Sequence, residues 1–283
     1  MQITQLLKIA SDQLESTSDS PHLDAQILLA HSLQKNRTWL ATWSDKNLTQ
    51  TEINDFNHLL KRRQLGEPVA HITGTREFWS LDLQVSRDTL IPRPETELMV
   101  EQILEKYPQT ADINLLDLGT GSGAIALALA SERPDWDIIA TDKSTAALNI
   151  AGQNAAQLAL KNIHFIAGSW FEPLNDLYPD KRQFDIIASN PPYIPRTDPH
   201  LSQGDVRFEP LSALASGDDG LDDIRLICQQ AGAFLKSSGR LIIEHGFDQK
   251  SDIHRIFMDS GYKNIEQIND LSSQPRLCIG IKP

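Results

Sequence analysis

Five apolar runs of strand length, set apart by helix-forming stretches, govern what most of this chain can become: INLLDLG (113–119), WDIIATD (136–142), NIHFIAG (162–168), FDIIASN (184–190) and GRLIIEHG (239–246). They show almost no polar alternation, so neither face of such a strand can stand in water. Strands of that kind occur in parallel sheets whose crossover helices cover both faces. The intervening residues agree. AIALALASE follows the first run, a helical stretch over about 144–160 follows the second, and Ile224, Ile227, Cys228 and Ala231 share a helix face before the fifth. A further helix and the runs YKNIEQI and PRLCIGIK finish the chain. The expectation is an α/β domain with a doubly wound, mostly parallel sheet. Ligands of such sheets bind beyond the carboxyl ends of the strands, where the winding reverses.

Upstream the period is helical. Ile3, Leu6, Leu7 and Ala10 have the spacing of one face, as do Leu23, Ile27 and Ala30 after Pro21. Ile53, Phe56, Leu59 and Leu60 mark another helix, ending in the basic KRR and Gly66. In REFWSLDLQVSRDTLIP, Phe78, Leu81, Leu83 and Val85 largely alternate with polar residues, which predicts extended strands and a hairpin. Val100, Ile103, Leu104 and Tyr107 then form a helical stripe whose first turn suits Pro94 and Glu95. The 283 residues therefore divide into a small helical domain (1–73), a hairpin linker (74–93) and the α/β domain (94–283).

The net charge of −12 disfavours a surface built to grip nucleic-acid phosphates and suits a small-molecule ligand or a partner with a basic patch. Cys228 and Cys278 lie far apart, without CxxC or histidine-rich surroundings, and read as buried free thiols rather than a disulfide or zinc site. No stretch approaches about 18 apolar residues and no signal-peptide pattern opens the chain, so a cytoplasmic protein without membrane contact is expected. A monomer is expected as well.

Two loops carry the chemistry. DLGTGSGA (117–124) closes the first strand, and its glycines let the backbone turn tightly and approach a ligand without Cβ obstruction. Asp142 ends the second strand, where a carboxylate can accept both ribose hydroxyls of an adenosine. Loop and acid alone fit either NAD or S-adenosylmethionine. Trp170, after the third strand, could flank an adenine or be a core or rim tryptophan.

The second loop is SNPPYIPRTD (189–198). Pro191 and Pro192 cannot donate to a sheet and stiffen the chain beyond Ser189. A planar nitrogen, amide or exocyclic amine, is a poor nucleophile because its lone pair is delocalised. Two acceptors on its two N–H groups, the Asn190 side-chain oxygen and the Pro191 carbonyl, would fix it and favour charge developing on nitrogen. Tyr193 can lay its ring against the planar group. By itself NPPY could be a proline turn with a packed tyrosine, but its place after a strand, in the domain that holds the glycine loop, favours the chemical reading.

With these motifs the second domain resembles the class I S-adenosylmethionine-dependent methyltransferases, a Rossmann-like fold. The chain as a whole resembles the N5-glutamine methyltransferases of peptide chain release factors. The resemblance rests on residues 62–101 (RRQLGEPVAHITGTREFWSLDLQVSRDTLIPRPETELMVE), 117–130, 140–154, SNPPYIP (189–195), FEPLSALASGDDGLDDIR (208–225) and EHGFDQ (244–249), with LIPRPETE the most discriminating. It implies S-adenosylmethionine as cofactor, S-adenosylhomocysteine as product and no metal. Gly119, Thr120, Gly121, Ser122, Gly123, Asp142, Trp170 and Asn190 would hold the cofactor. Asn190, Pro191, Pro192 and Tyr193 would hold the glutamine of a Gly-Gly-Gln loop, with Asn190, Pro191 and Tyr193 catalytic. The helical domain and the IPRPETE segment would recognise the protein partner. Arg93 and Glu95 could share that task or simply form a salt-bridged helix start.

Within the same chemistry stand two rivals, glutamine methylation of a ribosomal protein and adenine-N6 methylation of nucleic acid. The acidic charge disfavours the second. A sensor that binds S-adenosylmethionine without transfer has no use for the paired acceptors. An NAD oxidoreductase lacks a proton donor; His245 is the nearest suspect, and a strand-end structural histidine explains it equally.

Overall fold

A computed structural model describes residues 1–108, 112–178 and 183–283. It divides into two compact units, Met1–Thr75 with Ser202–Phe208, and Arg76–Leu201 with Glu209–Pro283.

The first unit is helical: α1 (Ile3–Leu14), α2 (Pro21–Leu33), α3 (Arg37–Thr42), α4 (Gln50–Gln64) and α5 (Val69–Thr73). Local signals start the helices. Pro21 occupies the first turn of α2, Asn36 accepts from the Trp39 amide at 2.8 Å, and Thr49 and Glu52 form a reciprocal capping box. Ile3, Leu6, Leu7, Ala10 and Leu14 are buried against Ala25, Leu28, Leu29, Phe56 and Leu60. On α2 the expected stripe is only partly the one chosen: Ala30 is buried and Ile27 half-buried, but Leu23 is 38% exposed, while Asp24, Ala25, Leu28 and Leu29 also face inward. This helix carries apolar residues on more than one side, so spacing alone permits two solutions. The guanidinium of Arg63 decides between them. It is buried, bonds Asp24 at 2.8 Å and Asp205 at 2.7 Å, and needs a carboxylate facing the core.

In the second unit, β1 (Thr75–Phe78) and β2 (Leu81–Gln84) form the expected hairpin. Trp79 and Ser80 both have positive φ, 52° and 58°, the twist-matched geometry of a two-residue hairpin turn. The Trp79 amide donates to Glu97 at 2.8 Å and its indole N–H to Glu132 at 2.9 Å, which helps hold a non-glycine residue there.

The main sheet has seven strands, β3 (Asn114–Leu118), β4 (Asp137–Asp142), β5 (Ile163–Ala167), β6 (Phe184–Ser189), β7 (Leu235–Glu244), β8 (Lys263–Asn269) and β9 (Pro275–Ile281), in the order β5-β4-β3-β6-β7-β9-β8. The first five are mutually parallel, while β9 enters antiparallel between β7 and β8. Alternate residues face opposite layers. Leu115, Ile138 and Ile186 pack with α6 (Glu97–Lys106) and α7 (Ala124–Glu132), and Leu116, Ile139 and Ile187 pack with the short α9 (Glu172–Leu177), α10 (Asp222–Ala231) and α11 (Lys250–Asp259). The third apolar run departs from full coverage, because β5 is an edge strand and only half-buried. Cys228 and Cys278 are buried free thiols, as expected, and burial pushes Cys278 up to about 12. Winding reverses between β3 and β6, where Leu118 pairs with Ser189. That register sets the glycine loop beside NPPY.

Candidate active site

Gly119, Gly121 and Gly123 all have positive φ (72°, 59° and 89°), a region side chains other than glycine rarely occupy. The Gly119 and Thr120 amides both donate to the Thr141 carbonyl, at 2.9 and 3.0 Å, which folds the loop over the end of β4. A Cβ at Gly123 would meet Leu127 Cδ1 at 2.7 Å, so that glycine serves packing. At Gly121 a Cβ would meet nothing within 4 Å, leaving bare backbone toward open space. Thr120 and Ser122 are buried, and Thr120 Oγ donates to Asp117 at 2.6 Å. Burial raises the Asp117 carboxyl to about 7, against that hydrogen bond and with help from the charge of Asp142.

Asp142 accepts from the Gly121 amide at 2.9 Å and the Ser144 amide at 2.8 Å. Ser144 caps α8 (Thr145–Gln157), so one carboxylate joins the glycine loop to a helix start. Trp170 also has positive φ, 47°, and its indole N–H donates to Asp223 at 3.1 Å. Its ring covers Gly119, where a Cβ would lie 3.2 Å from Cζ3.

On the second loop Ser189 Oγ donates to the Leu118 carbonyl at 2.8 Å, and Pro191 and Pro192 are buried. Asn190 donates its Nδ2 to Thr96 Oγ1 at 3.1 Å, which leaves the side-chain oxygen as its acceptor. The Tyr193 carbonyl accepts from Gln249 Nε2 at 2.9 Å, and Gly220 (φ +78°) packs so closely that a Cβ there would stand 2.2 Å from that carbonyl. The half-buried Tyr193 phenol is held well above its usual range, first by burial and then by the charge of Glu244. The GDDG and EHGFDQ segments are thus the backing of the NPPY loop. Likewise Glu209 accepts from the Ile91 amide at 2.9 Å and pairs with Arg93, joining the IPRPE segment to FEP. Glu95 lies in the 3₁₀ turn Pro94–Thr96.

A cavity of about 310 Å³ opens between the loops, within the range of small-molecule sites, about 300–1,000 Å³. Gly119, Gly121, Asp142, Trp170, Asn190 and Pro192 line it, an open backbone, an acid and an aromatic face that suit an adenosine-type cofactor. Thr120, Ser122, Gly123, Pro191 and Tyr193 are not in its wall. Sequence reasoning did not name as site residues Thr89 and Leu90 after the hairpin or Ser212 and Ala213 on the later loop, which also line it and lie within the 62–101 and 208–225 segments. It also missed Asn154, buried at the back, which donates to the Ser122 carbonyl at 2.9 Å and exchanges hydrogen bonds with the Gln84 backbone. His245 stands apart from the cavity, its ring nitrogens bound to the Gly246 carbonyl and Gln267. Burial lowers its pKa. Among the described residues no cluster of three or more His, Cys, Asp or Glu could hold a metal ion, and no helix is long and apolar enough to cross a membrane.

Known proteins match the sequence over nearly the full chain. Residues 5–74 match the family described as PrmC N-terminal domain and residues 109–274 match a methyltransferase domain. The release factor glutamine methyltransferase of Escherichia coli K12 is 47% identical over 280 residues, 99% of either chain. The protein of that name from Vibrio cholerae serotype O1 is 50% identical over 279 residues, 98% of this chain and 96% of its own. Among solved structures, the hMettl16 catalytic domain in complex with the MAT2A 3′UTR hairpin 6 superposes with a TM-score of 0.55 at 16% identity, covering 78% of this chain and 81% of that one. The T. thermophilus 16S rRNA N2 G1207 methyltransferase with AdoMet and guanosine gives 0.54 at 16% identity, over 74% of this chain and 50% of that one. These two share the α/β methyltransferase fold.

Proposed function

The chain belongs to the release factor glutamine methyltransferases, and on that premise we propose that it transfers the methyl group of S-adenosylmethionine to the side-chain nitrogen (N5) of the glutamine in the Gly-Gly-Gln loop of peptide chain release factors, leaving S-adenosylhomocysteine. The bound cofactor supplies a methyl carbon made electrophilic by the sulfonium. In this reading Asp142 accepts the ribose hydroxyls, the open backbone at Gly119 and Gly121 admits the ligand, and Trp170 covers the adenine. Thr120, Ser122 and Gly123 keep the loop in shape. Residues 1–73 and the IPRPETE segment (91–97) recognise the protein substrate, the hairpin 74–93 links the two parts, and residues 94–283 carry the chemistry.

The observation that carries the reading is the state of Asn190. Its NH₂ group is engaged by Thr96 while its residue lines the cavity that Gly121 and Asp142 share, so its oxygen is the half available to a substrate N–H. With the Pro191 carbonyl it makes two acceptors for the two N–H groups of a primary amide. Pro192 and Tyr193 fix the plane. As the nitrogen–carbon bond forms and the methyl–sulfur bond breaks, the electron pair leaves with sulfur. The nitrogen gains positive charge that the acceptors favour, then releases its proton to water. No strong base is needed, since a charged amide nitrogen is very acidic.

Asn190→Ala should lower kcat about 10²–10³-fold while the dissociation constant for S-adenosylhomocysteine stays within several-fold. Normal turnover in that variant would remove the acceptor role.

A further inference from the structure

An asparagine works as an acceptor only if its oxygen, and not its nitrogen, faces the substrate, and amide orientation is set by the surrounding hydrogen-bond network. Three residues from separate parts of the second unit meet at this point. Ser189 pairs with Ile243 in the parallel register of β6 and β7, which brings Asn190 and Glu244 to the same level of the sheet. Glu244 is 2% exposed, and among the described residues its Oε2 has no hydrogen-bond partner. Thr96, 4% exposed, accepts from Asn190 Nδ2 at 3.1 Å, and its hydroxyl and the Asn190 amide both favour the ionised form of the buried Glu244 carboxyl. The acceptor role of Asn190 was legible in NPPY; those of Thr96 and Glu244 were not.

We propose that Glu244, acting through the Thr96 hydroxyl, is a positioning group that holds the Asn190 amide with Oδ1 toward the methyl-accepting nitrogen. The idea rests on the acceptor role given to Asn190 above. A hydroxyl has one proton. While Glu244 is ionised, that proton goes to the carboxylate, and the Thr96 oxygen is left to accept from Asn190 Nδ2–H. Once Glu244 is protonated, its own O–H can donate to Thr96. The hydroxyl proton then turns toward Asn190, and the amide can flip to present N–H to a substrate that also presents N–H. The relay breaks at that single proton.

The charges around Glu244 place this switch in an accessible range. Burial raises the carboxyl to about 7, while Thr96, the Arg276 guanidinium from β9 and Asn190 favour its ionised form, and Glu95 from the turn before α6 opposes it. Tyr193 stays neutral under the same burial, and His245 is turned to Gly246 and Gln267. For a carboxyl raised in this way the working, ionised form is lost as pH falls through about 7.

The test compares wild type, Thr96→Val, Thr96→Ser, Glu244→Gln and Asn190→Ala in methyl transfer to purified release factor between about pH 5.5 and 9. Binding of S-adenosylhomocysteine, measured for each, certifies folding. In the wild type, kcat should fall on an acid limb centred near 7. Glu244→Gln and Thr96→Val should lose about tenfold or more in kcat at pH 8.5 and lose the acid limb, with KM and cofactor affinity within about threefold. Thr96→Ser should keep both rate and limb, which a merely structural role for the methyl group would not allow. Wild-type kcat with an intact acid limb in Glu244→Gln or Thr96→Val would overturn the relay, as would Thr96→Ser failing like Thr96→Val. If Glu244→Gln does not bind the cofactor, the threonine pair decides. Full turnover in Asn190→Ala would instead strike the acceptor reading itself, whereas an inactive Asn190→Ala beside normal Thr96→Val and Glu244→Gln would strike only the relay.

Discussion

Replacing Asp142 by alanine should separate the two jobs of that carboxylate. It accepts two backbone amides, from Gly121 at 2.9 Å and Ser144 at 2.8 Å, so its loss loosens both the glycine loop and the start of α8. Hydrogen bonds to charged groups contribute about 1.5–3 kcal/mol each. Asp142 is half-buried beside an open cavity, where water can replace part of this, so the pair together is worth about 1–3 kcal/mol. At about 2–4 °C per kcal/mol for a domain of this size, Tm should fall by roughly 2–12 °C. Cofactor binding loses the acceptor for two ribose hydroxyls. Taking the low end of the same range for each gives about 3 kcal/mol as an upper figure and, after screening, a dissociation constant raised about 10- to 150-fold. Titration calorimetry with S-adenosylhomocysteine measures the second effect and a thermal melt the first. A constant within about twofold of wild type, with Tm lowered as expected, would show the carboxylate to be a loop tether only and refute the ribose assignment.

Two further perturbations probe the supports of the site. Gly220→Ala forces a side chain into φ +78° with its Cβ 2.2 Å from the Tyr193 carbonyl, so the NPPY loop must move; a cost of about 2–5 kcal/mol and at least a tenfold loss of kcat are expected, and unchanged melting and turnover would contradict the packing described. Asp117→Asn tests the buried carboxyl behind the glycine loop. Its folded pKa, near 7, lies above its unfolded value of about 3.9, so its stabilising contribution is present below the unfolded value and lost as pH rises through 7. The variant should therefore gain stability relative to wild type between about pH 4 and 8, and a difference in Tm that does not change over that window would refute the shift.

What could be read from sequence was local. Apolar runs without alternation name parallel strands, glycines at 119, 121 and 123 name positive-φ turns, and two prolines after Ser189 name a stiff strand end, each signal lying within a few residues of its effect. The ligand-binding end of the sheet followed from the order of elements. What escaped depends on partners far apart in the chain. Nothing local says that β9 inserts antiparallel between β7 and β8, because an apolar run does not name the strands it will pair with. Nor does a local pattern assign 202–208 to the helical unit, where Asp205 meets Arg63 across 142 positions. The face of α2 was partly misjudged for the same reason, since the inward Asp24 meets Arg63 as well as Ser18 and Ser20. Thr96, Asn154 and Glu244 shape the site from behind, and although they fall within quoted segments, their roles depend on partners distant in the chain.

The measurement that bears most directly on the function is methyl transfer from labelled S-adenosylmethionine to a purified release factor, beside the same factor with its Gly-Gly-Gln glutamine changed to alanine. Label should enter the parent protein and not the variant, with the mass of one methyl group on the glutamine side chain. Label on both proteins, or on neither while a ribosomal protein is modified, would contradict the assignment.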